Sequence, residues 1–167
     1  MVKIRRNLLL QRMSLRMVRT ISFFMPLILL LASCERNTLM HSYQPLPDNS
    51  WNRTDTLLFS LPVLSEDESF GMLVGLRLTN NYPYEGLILE VAQSCQNPYS
   101  NRVDTINYKL TDESGDFTEN GMNYFQYESQ RIPLNLKKGQ KGEIRIRHLM
   151  HREVLPGIMD VGIRVFR

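Results

Sequence analysis

His148 and His151 stand three residues apart, with Glu153 close behind. On a turn of helix that spacing would bring two imidazoles to one face near a carboxylate, the beginning of a zinc site. Two ligands do not complete one, because zinc wants three or four converging side chains, and His148 also continues the parity of Ile144 and Ile146. A packed, hydrogen-bonded histidine is therefore expected, and no metal. Glu66 with Glu68 and Asp112 with Asp116 are acidic pairs of a type that can share acid–base work, but both lie in turn-like segments where carboxylates are ordinarily solvated. Gly-x-Ser-x-Gly, His-Glu-x-x-His, Walker and Gly-x-Gly-x-x-Gly motifs are all missing. The chain is not expected to be an enzyme, and it calls for no cofactor. Tyr82-Pro83-Tyr84 and the cluster Tyr124, Phe125 and Tyr127 bring aromatic rings near predicted turns or strand ends. There they either cap a core or build a contact surface, sugar-stacking platforms included.

Cys34 carries more definite chemistry. It follows Leu31-Ala32-Ser33, at the end of a 12-residue apolar run from Ile21 to Ala32. A branched apolar residue, two small residues and a cysteine resemble the lipobox of bacterial lipoproteins. Small side chains let a peptidase reach the bond before Cys34, and only a thiol can take a diacylglyceryl group as a thioether. The run is too short for the roughly 20 residues of a membrane-spanning helix. Ahead of it Lys3, Arg5, Arg6, Arg12, Arg16 and Arg19 occur without any acidic residue, as in the charged leading region of a secretory signal. Residues 1–33 are thus expected to be a lipoprotein signal peptide, with Met13 and Met17 as alternative starts. Cys34 is expected to be lipidated as the first residue of the mature chain.

Removing the signal takes 6 of the 20 basic residues and none of the 17 acidic ones, leaving 14 against 17, a net charge of −3 in place of +3. The basic balance therefore belongs to the targeting segment, and nucleic acid is not an expected partner. Residues 34–167 suffice for one domain with a sizeable core. With Cys34 acylated, Cys95 has no partner in the chain, so an exported fold without an internal disulfide is expected. Packing must then supply the stability, with Cys95 expected as a small buried or strand-end residue and an intermolecular disulfide or a reactive thiol as the alternatives.

Residues 34–52 mix polar side chains with Pro45, Pro47, Asp48, Asn49 and Ser50, and are expected to form a tether. From Thr54 onward the hydrophobic pattern has a period of two. Leu57, Phe59 and Leu61 share one parity, and so do Phe70, Met72, Val74, Leu76 and Leu78. Then come Leu87, Leu89 and Val91; Ile106, Tyr108 and Leu110; Ile132, Leu134 and Leu136; Ile144 and Ile146; and Val161, Ile163 and Val165. Turn residues separate these runs, among them Asn80-Asn81-Tyr82-Pro83, Asn97-Pro98 and Lys138-Gly139-Gln140. The expectation is an all-β chain, with a single antiparallel β-sandwich domain of about seven strands over residues 53–167. The stretch from His148 to Leu155 is compatible with either a helical turn ended by Pro156-Gly157 or an extended edge.

Several of these residues together resemble the gliding-motility lipoprotein H family, GldH. After the lipobox come Trp51, Asp55 and Phe59, then Leu76-Arg77, Tyr82-Pro83-Tyr84 and Leu87. Asp104-Thr105-Ile106, Tyr108, Leu110-Thr111-Asp112 and Gly115 follow. The chain closes with His148-Leu149-Met150, Leu155-Pro156-Gly157-Ile158 and Asp160-Val161-Gly162-Ile163-Arg164. It departs from the pattern in three places. His151 stands where an arginine usually follows the methionine, with Arg152 one position later; Gly86 replaces an asparagine; and Phe117 replaces a tryptophan.

The resemblance implies an envelope lipoprotein of the gliding machinery, associated with type IX secretion and without catalytic activity. Its expected partners are the membrane, through the N-terminal lipid, and other envelope machinery proteins. Expected contact residues are Arg77, Tyr82 and Tyr84 near one turn, and Arg152 and Asp160 near the C-terminal strand. The competing reading is a glycan-binding envelope lipoprotein of a polysaccharide-capture system, for which Tyr82 and Tyr84 would have to be exposed. Glu35-Arg36-Asn37-Thr38 lacks the acidic cluster that resembles a surface-export signal. The expected location is accordingly the outer membrane, facing the periplasm.

Overall fold

The computed structural model describes residues 38–119, 121 and 124–167, so the signal segment and Cys34 lie outside the described residues. In chain order the strands are β1 (Thr38–Pro45), β2 (Ser50–Asn52), β3 (Leu57–Ser60), β4 (Glu68–Leu78), β5 (Gly86–Gln96) and β6 (Ser100–Lys109). After these come β7 (Phe125–Glu128), β8 (Ile132–Leu136), β9 (Lys141–His148), β10 (Val154–Pro156) and β11 (Ile158–Phe166). The chain is all-β and its pairings are antiparallel. One five-stranded sheet runs β1-β11-β4, with β7 pairing the Gly75–Leu78 half of β4 and β8 its Glu68–Met72 half. A four-stranded sheet runs β3-β9-β5-β6, and β10 pairs with β2 as a short ribbon.

The alternation read in the sequence sets which side of each strand is inside. Phe70, Met72, Val74, Leu76 and Leu78 of β4 are buried, as are Leu87, Leu89 and Val91 of β5 and Val161, Ile163 and Val165 of β11. They join one hydrophobic core between the two sheets. Fully burying a Leu, Ile or Val side chain contributes about 1.5–3 kcal/mol, so this continuous layer is a main source of the domain's stability. Polar groups stitch the same layer. Tyr108 Oη donates to the Val74 carbonyl at 2.8 Å, Tyr127 Oη to the Leu110 carbonyl at 2.6 Å, and Gln93 Nε2 to the Pro133 carbonyl at 3.3 Å. Cys95 is a free, buried thiol near the end of β5.

All seven expected strands are present, and four more accompany them. The expected tether over residues 34–52 requires correction. Thr38–Pro45 is a strand whose register along β11 runs from Thr38↔Phe166 to Pro45↔Asp160, and Pro47–Asn49 forms a 3-10 turn leading into β2. Residues 38–52 therefore belong to the folded unit, and residues 34–37 of the expected tether lie outside the described residues. β1 escapes a periodicity reading because it is an edge strand, half-covered on both faces, without clean in–out contrast. Pro45 is tolerated at its end because an edge position need not donate to a ladder. The segment after His148 takes the extended option, with bends at residues 151–153 and then β10, where Leu155 pairs with Trp51.

Gly157 closes this end of the sandwich. Its φ is +81°, and a Cβ there would collide with the Tyr82 backbone. A residue other than glycine would be strained and displaced together. The Thr79 amide donates to the Gly157 carbonyl at 2.8 Å, which joins the turn after β4 to the turn before β11.

His148 is the packed histidine that the parity of β9 implies. Its ring meets Trp51 edge-on at 5.4 Å, but the hydrogen-bonded ring expected requires correction: among the described residues neither ring nitrogen has a hydrogen-bond partner, because the site around it is filled by apolar packing. Burial holds its pKa below the usual 6.5; the Trp51 backbone nearby opposes that, Arg53 adds to it, and Asp55 again opposes it. An unfolded chain carries a histidine of ordinary pKa and so binds the proton more readily than the folded chain. The stability due to neutral His148 is fully present above about pH 6.5 and is lost as pH falls below that value toward the depressed folded pKa. Urea midpoints measured from pH 7.5 downward are expected to fall more steeply for the wild type than for His148→Leu. Parallel pH profiles would show that the ring is not the cause.

Candidate functional site

The register of the five-stranded sheet builds a surface on its solvent side. Pairing aligns Pro45, Asp160, Arg77 and Gln126 in one row across β1, β11, β4 and β7, and Tyr43, Gly162, Gly75 and Glu128 in the next. Alternation puts these residues opposite the core layer. Glycines at 75 and 162 leave a trough, and the Tyr43 ring lies in it: a Cβ on Gly162 would strike the ring, and one on Gly75 would strike the hydroxyl end. Glycine within a strand often marks such a close approach.

Arg77 lies over this ring. Its guanidinium carbon is 4.1 Å from the Tyr43 centroid and 5.3 Å from that of Tyr124, distances at which the cation is attracted by the ring faces. Nη1 is 3.4 Å from Asp160 Oδ2, and Nε donates to Gln126 Oε1 at 3.3 Å. The arginine side chain keeps 28% exposure and that of Asp160 15%. Burial raises the Asp160 pKa from its ordinary value, opposed by the charge and hydrogen bond of Arg77. The other carboxylate oxygen, Oδ1, is buried without a partner among the described residues. Burial also raises the Tyr43 pKa, with Arg77 opposing, so the phenol keeps its proton near neutral pH. In the adjoining row Arg164 Nη2 donates to Glu128 Oε2 at 2.9 Å. A planar cation held by rings and a carboxylate, with part of its surface open, is suited to recognising acceptor groups on another molecule.

Of the five expected contact residues, Arg77 and Asp160 thus meet directly. Tyr84 is half-buried and packs edge-on against Tyr82 at 5.5 Å. Tyr82 itself is 3% exposed, with its hydroxyl donating to the Gly86 carbonyl at 2.9 Å, and burial raises its pKa. It is therefore a core residue of the turn and offers no stacking platform, which removes the feature that the glycan reading needed. Arg152 is exposed in the bend between β9 and β10. Tyr43 and Tyr124 are the residues that sequence reasoning missed at this site. Outward-parity glycines at 71, 75 and 162 were the available signal, since each marks a place where something lies flat on the sheet.

A separate cleft of about 590 Å³ opens where β6 faces β7 and β8, lined by Arg102, Asp104, Tyr108, Glu128, Arg131 and Ile132 among others. Among the described residues no three His, Cys, Asp or Glu side chains group to hold a metal, and no helix is long and apolar enough to cross a membrane.

Residues 38–165 match the family model described as GldH lipoprotein. The gliding motility lipoprotein GldH of Flavobacterium johnsoniae is 28% identical over 144 residues, which covers 82% of this chain and 89% of that protein. Among solved structures, CBM35 from Cellvibrio japonicus Abf62 is similar with a TM-score of 0.40 and 11% identity, over 78% of this chain and 88% of that one. Eiger TNF from S. frugiperda gives a TM-score of 0.36 and 6% identity, over 79% and 94%. At such scores neither structure carries an argument about function.

Arg77→Ala would leave Asp160 half-buried without its cation and Tyr43 without its cover. Removing one partner of such a pair costs about 1–3 kcal/mol. Arg77→Lys is expected to recover less than half of that loss, because an ammonium cannot reproduce the planar stacking and the fork to Gln126 and Asp160. Urea denaturation of the three proteins at pH 7 checks this. Full recovery by lysine would reduce the site to simple charge pairing.

Proposed function

The chain belongs to the GldH lipoprotein family, and on that premise we propose that it is a lipid-anchored, non-enzymatic subunit of the gliding-motility machinery, linked to type IX secretion, that works by binding other envelope proteins. The observation that carries this reading is the convergence of motifs far apart in the chain. Arg77 and Asp160, 83 residues apart, meet on the solvent side of one sheet. Gly157 abuts the Tyr82 turn beside them. These are the segments by which the chain resembles the family. What they assemble is a partly open surface around a stacked arginine, suited to recognising another molecule.

Cys34 supplies the anchor in this proposal. A single myristoyl-length chain binds membranes only marginally and each buried methylene adds about 0.8 kcal/mol, so the several acyl chains of a lipoprotein hold it essentially permanently. Only residues 35–37 separate Cys34 from the first strand. At no more than about 3.6 Å per residue, the link from Cys34 to Thr38 reaches at most about 14 Å. So short a link confines the domain to the membrane surface and raises the effective concentration of partners held on the same surface. The outer membrane, on its periplasmic side, is the proposed location.

Cys34→Ser is expected to abolish incorporation of a fatty-acid label and to move the protein out of the membrane fraction; a labelled, sedimenting variant would refute the anchor. Affinity capture of the lipidated wild type from detergent-solubilised membranes should recover other envelope machinery proteins reproducibly. Recovery of none from wild-type membranes would refute the interaction role while leaving the anchor intact.

A further inference from the structure

Among the described residues the sandwich has one long edge whose protection is charge alone, Arg102 and Asp104. Exposed strand edges ordinarily carry devices that discourage pairing, such as shortness, bulges or proline. β1 has a register irregularity between Thr38 and Met40 and ends in Pro45; β3 and β7 have four residues each; β8 carries Pro133. β6 has none of these. It is ten residues long, its register against β5 is unbroken from Gly86↔Lys109 to Cys95↔Ser100, and among the described residues it pairs with no other strand.

The phase of that ladder fixes which groups face outward. The Leu110 amide donates to the Glu85 carbonyl directly opposite, at 2.8 Å, so even-numbered residues of β6 bond toward β5. The N–H and C=O of Asn101, Val103, Thr105 and Asn107 therefore point away from the sheet. Val103 is 55% exposed, and Tyr99, in the hairpin just before the strand, is 75% exposed. On the inner side Arg102 and Asp104 stand two residues apart at the mouth of the cleft between β6 and β8, the arginine Nη2 donating to Oδ1 at 2.8 Å.

We propose that β6 is a self-pairing edge, along which two copies of this chain join antiparallel about a twofold axis at Val103. Three observations select a second copy and this register. Pairing Val103 with its own counterpart puts Asn101 opposite Thr105 of the other copy, so the outward-pointing backbone groups of Asn101, Val103 and Thr105 meet partners in phase. Arg102 of each copy then faces Asp104 of the other, and the Arg-Val-Asp run closes into a square of alternating charge. An apolar strand from another protein would instead set both charges against uncharged side chains, as would a second copy centred on Thr105, where Asp104 meets Ile106. Finally, Val103 covers its counterpart, and the exposed Tyr99 comes opposite Asn107. The open cleft leaves room on the inner side for the added strand.

The register makes the test specific. In the full-length chain expressed in its own envelope, Val103→Cys should cross-link to a covalent dimer under a short bis-maleimide, because residues paired across such a ladder lie about 5.5 Å apart. Asn107→Cys should not, because its two copies would be about 27 Å apart along the strand. The parent chain, with buried Cys95, is the background. Adding Arg102→Asp to Val103→Cys should lower the dimer yield at least tenfold, and combining it with Asp104→Arg should restore the yield to within twofold. Absence of the Val103→Cys dimer, equal yields from positions 103 and 107, or failure of the charge swap to restore pairing would each overturn the proposal. Adducts from Val103→Cys only to a different protein would do so as well, by assigning the edge to another strand.

Discussion

The register between β4 and β11 is the constraint on which the rest of the molecule depends. Among the described strands β4 alone pairs with three others, and its ladder with β11 runs from Ile158↔Leu78 to Phe166↔Gly71. Side-chain alternation makes that register nearly all-or-none, because a slip of one residue would turn Phe70, Met72, Val74, Leu76 and Leu78 to solvent. The apolar face therefore fixes where every outward residue falls. Arg77 beside Asp160 and Gly75 beside Gly162 follow from the core, although neither pair contributes to it.

The surface and the interior are coupled through glycine. A strand normally fills both faces with side chains, but Gly75 and Gly162 leave a channel one residue wide in which Tyr43 lies flat. That ring gives Arg77 a platform, and Asp160 holds its edge. Half-burial costs the carboxylate, whose pKa is raised, so the pair is held by its surroundings and adds little net stability of its own. Such a feature is better understood as orienting a cation than as stabilising a fold.

Much of this architecture was legible in the sequence, and the omissions have physical causes. Strands with one face on the core, such as β4, β5 and β11, announce themselves by period two. β1 does not, because an edge strand with both faces half-covered shows no contrast and its prolines imitate a linker. β2 and β10 are too short to display a period at all. Arg77 and Asp160 could be named from the family pattern, but their meeting could not, since it needs the register of strands some eighty residues apart. Tyr82 illustrates the reverse limit. An aromatic residue in a turn can face either way, and here the close approach of Gly157 to its backbone accompanies its burial.

Anchoring and recognition together define the account. On the proposed anchoring at Cys34 a lipid holds one end of the chain while the sheet face presents Arg77 over the Tyr43 ring, so its partners are expected to be proteins held at the same membrane surface. The most direct measurement is site-specific photo-crosslinking in the native envelope, with the photoreactive residue at Gln126, exposed beside Arg77, and in parallel at Leu58, exposed on the other sheet. The account predicts a discrete adduct with an envelope protein from position 126 that position 58 does not give. Identical adducts from both positions, or adducts from 58 alone, would contradict it.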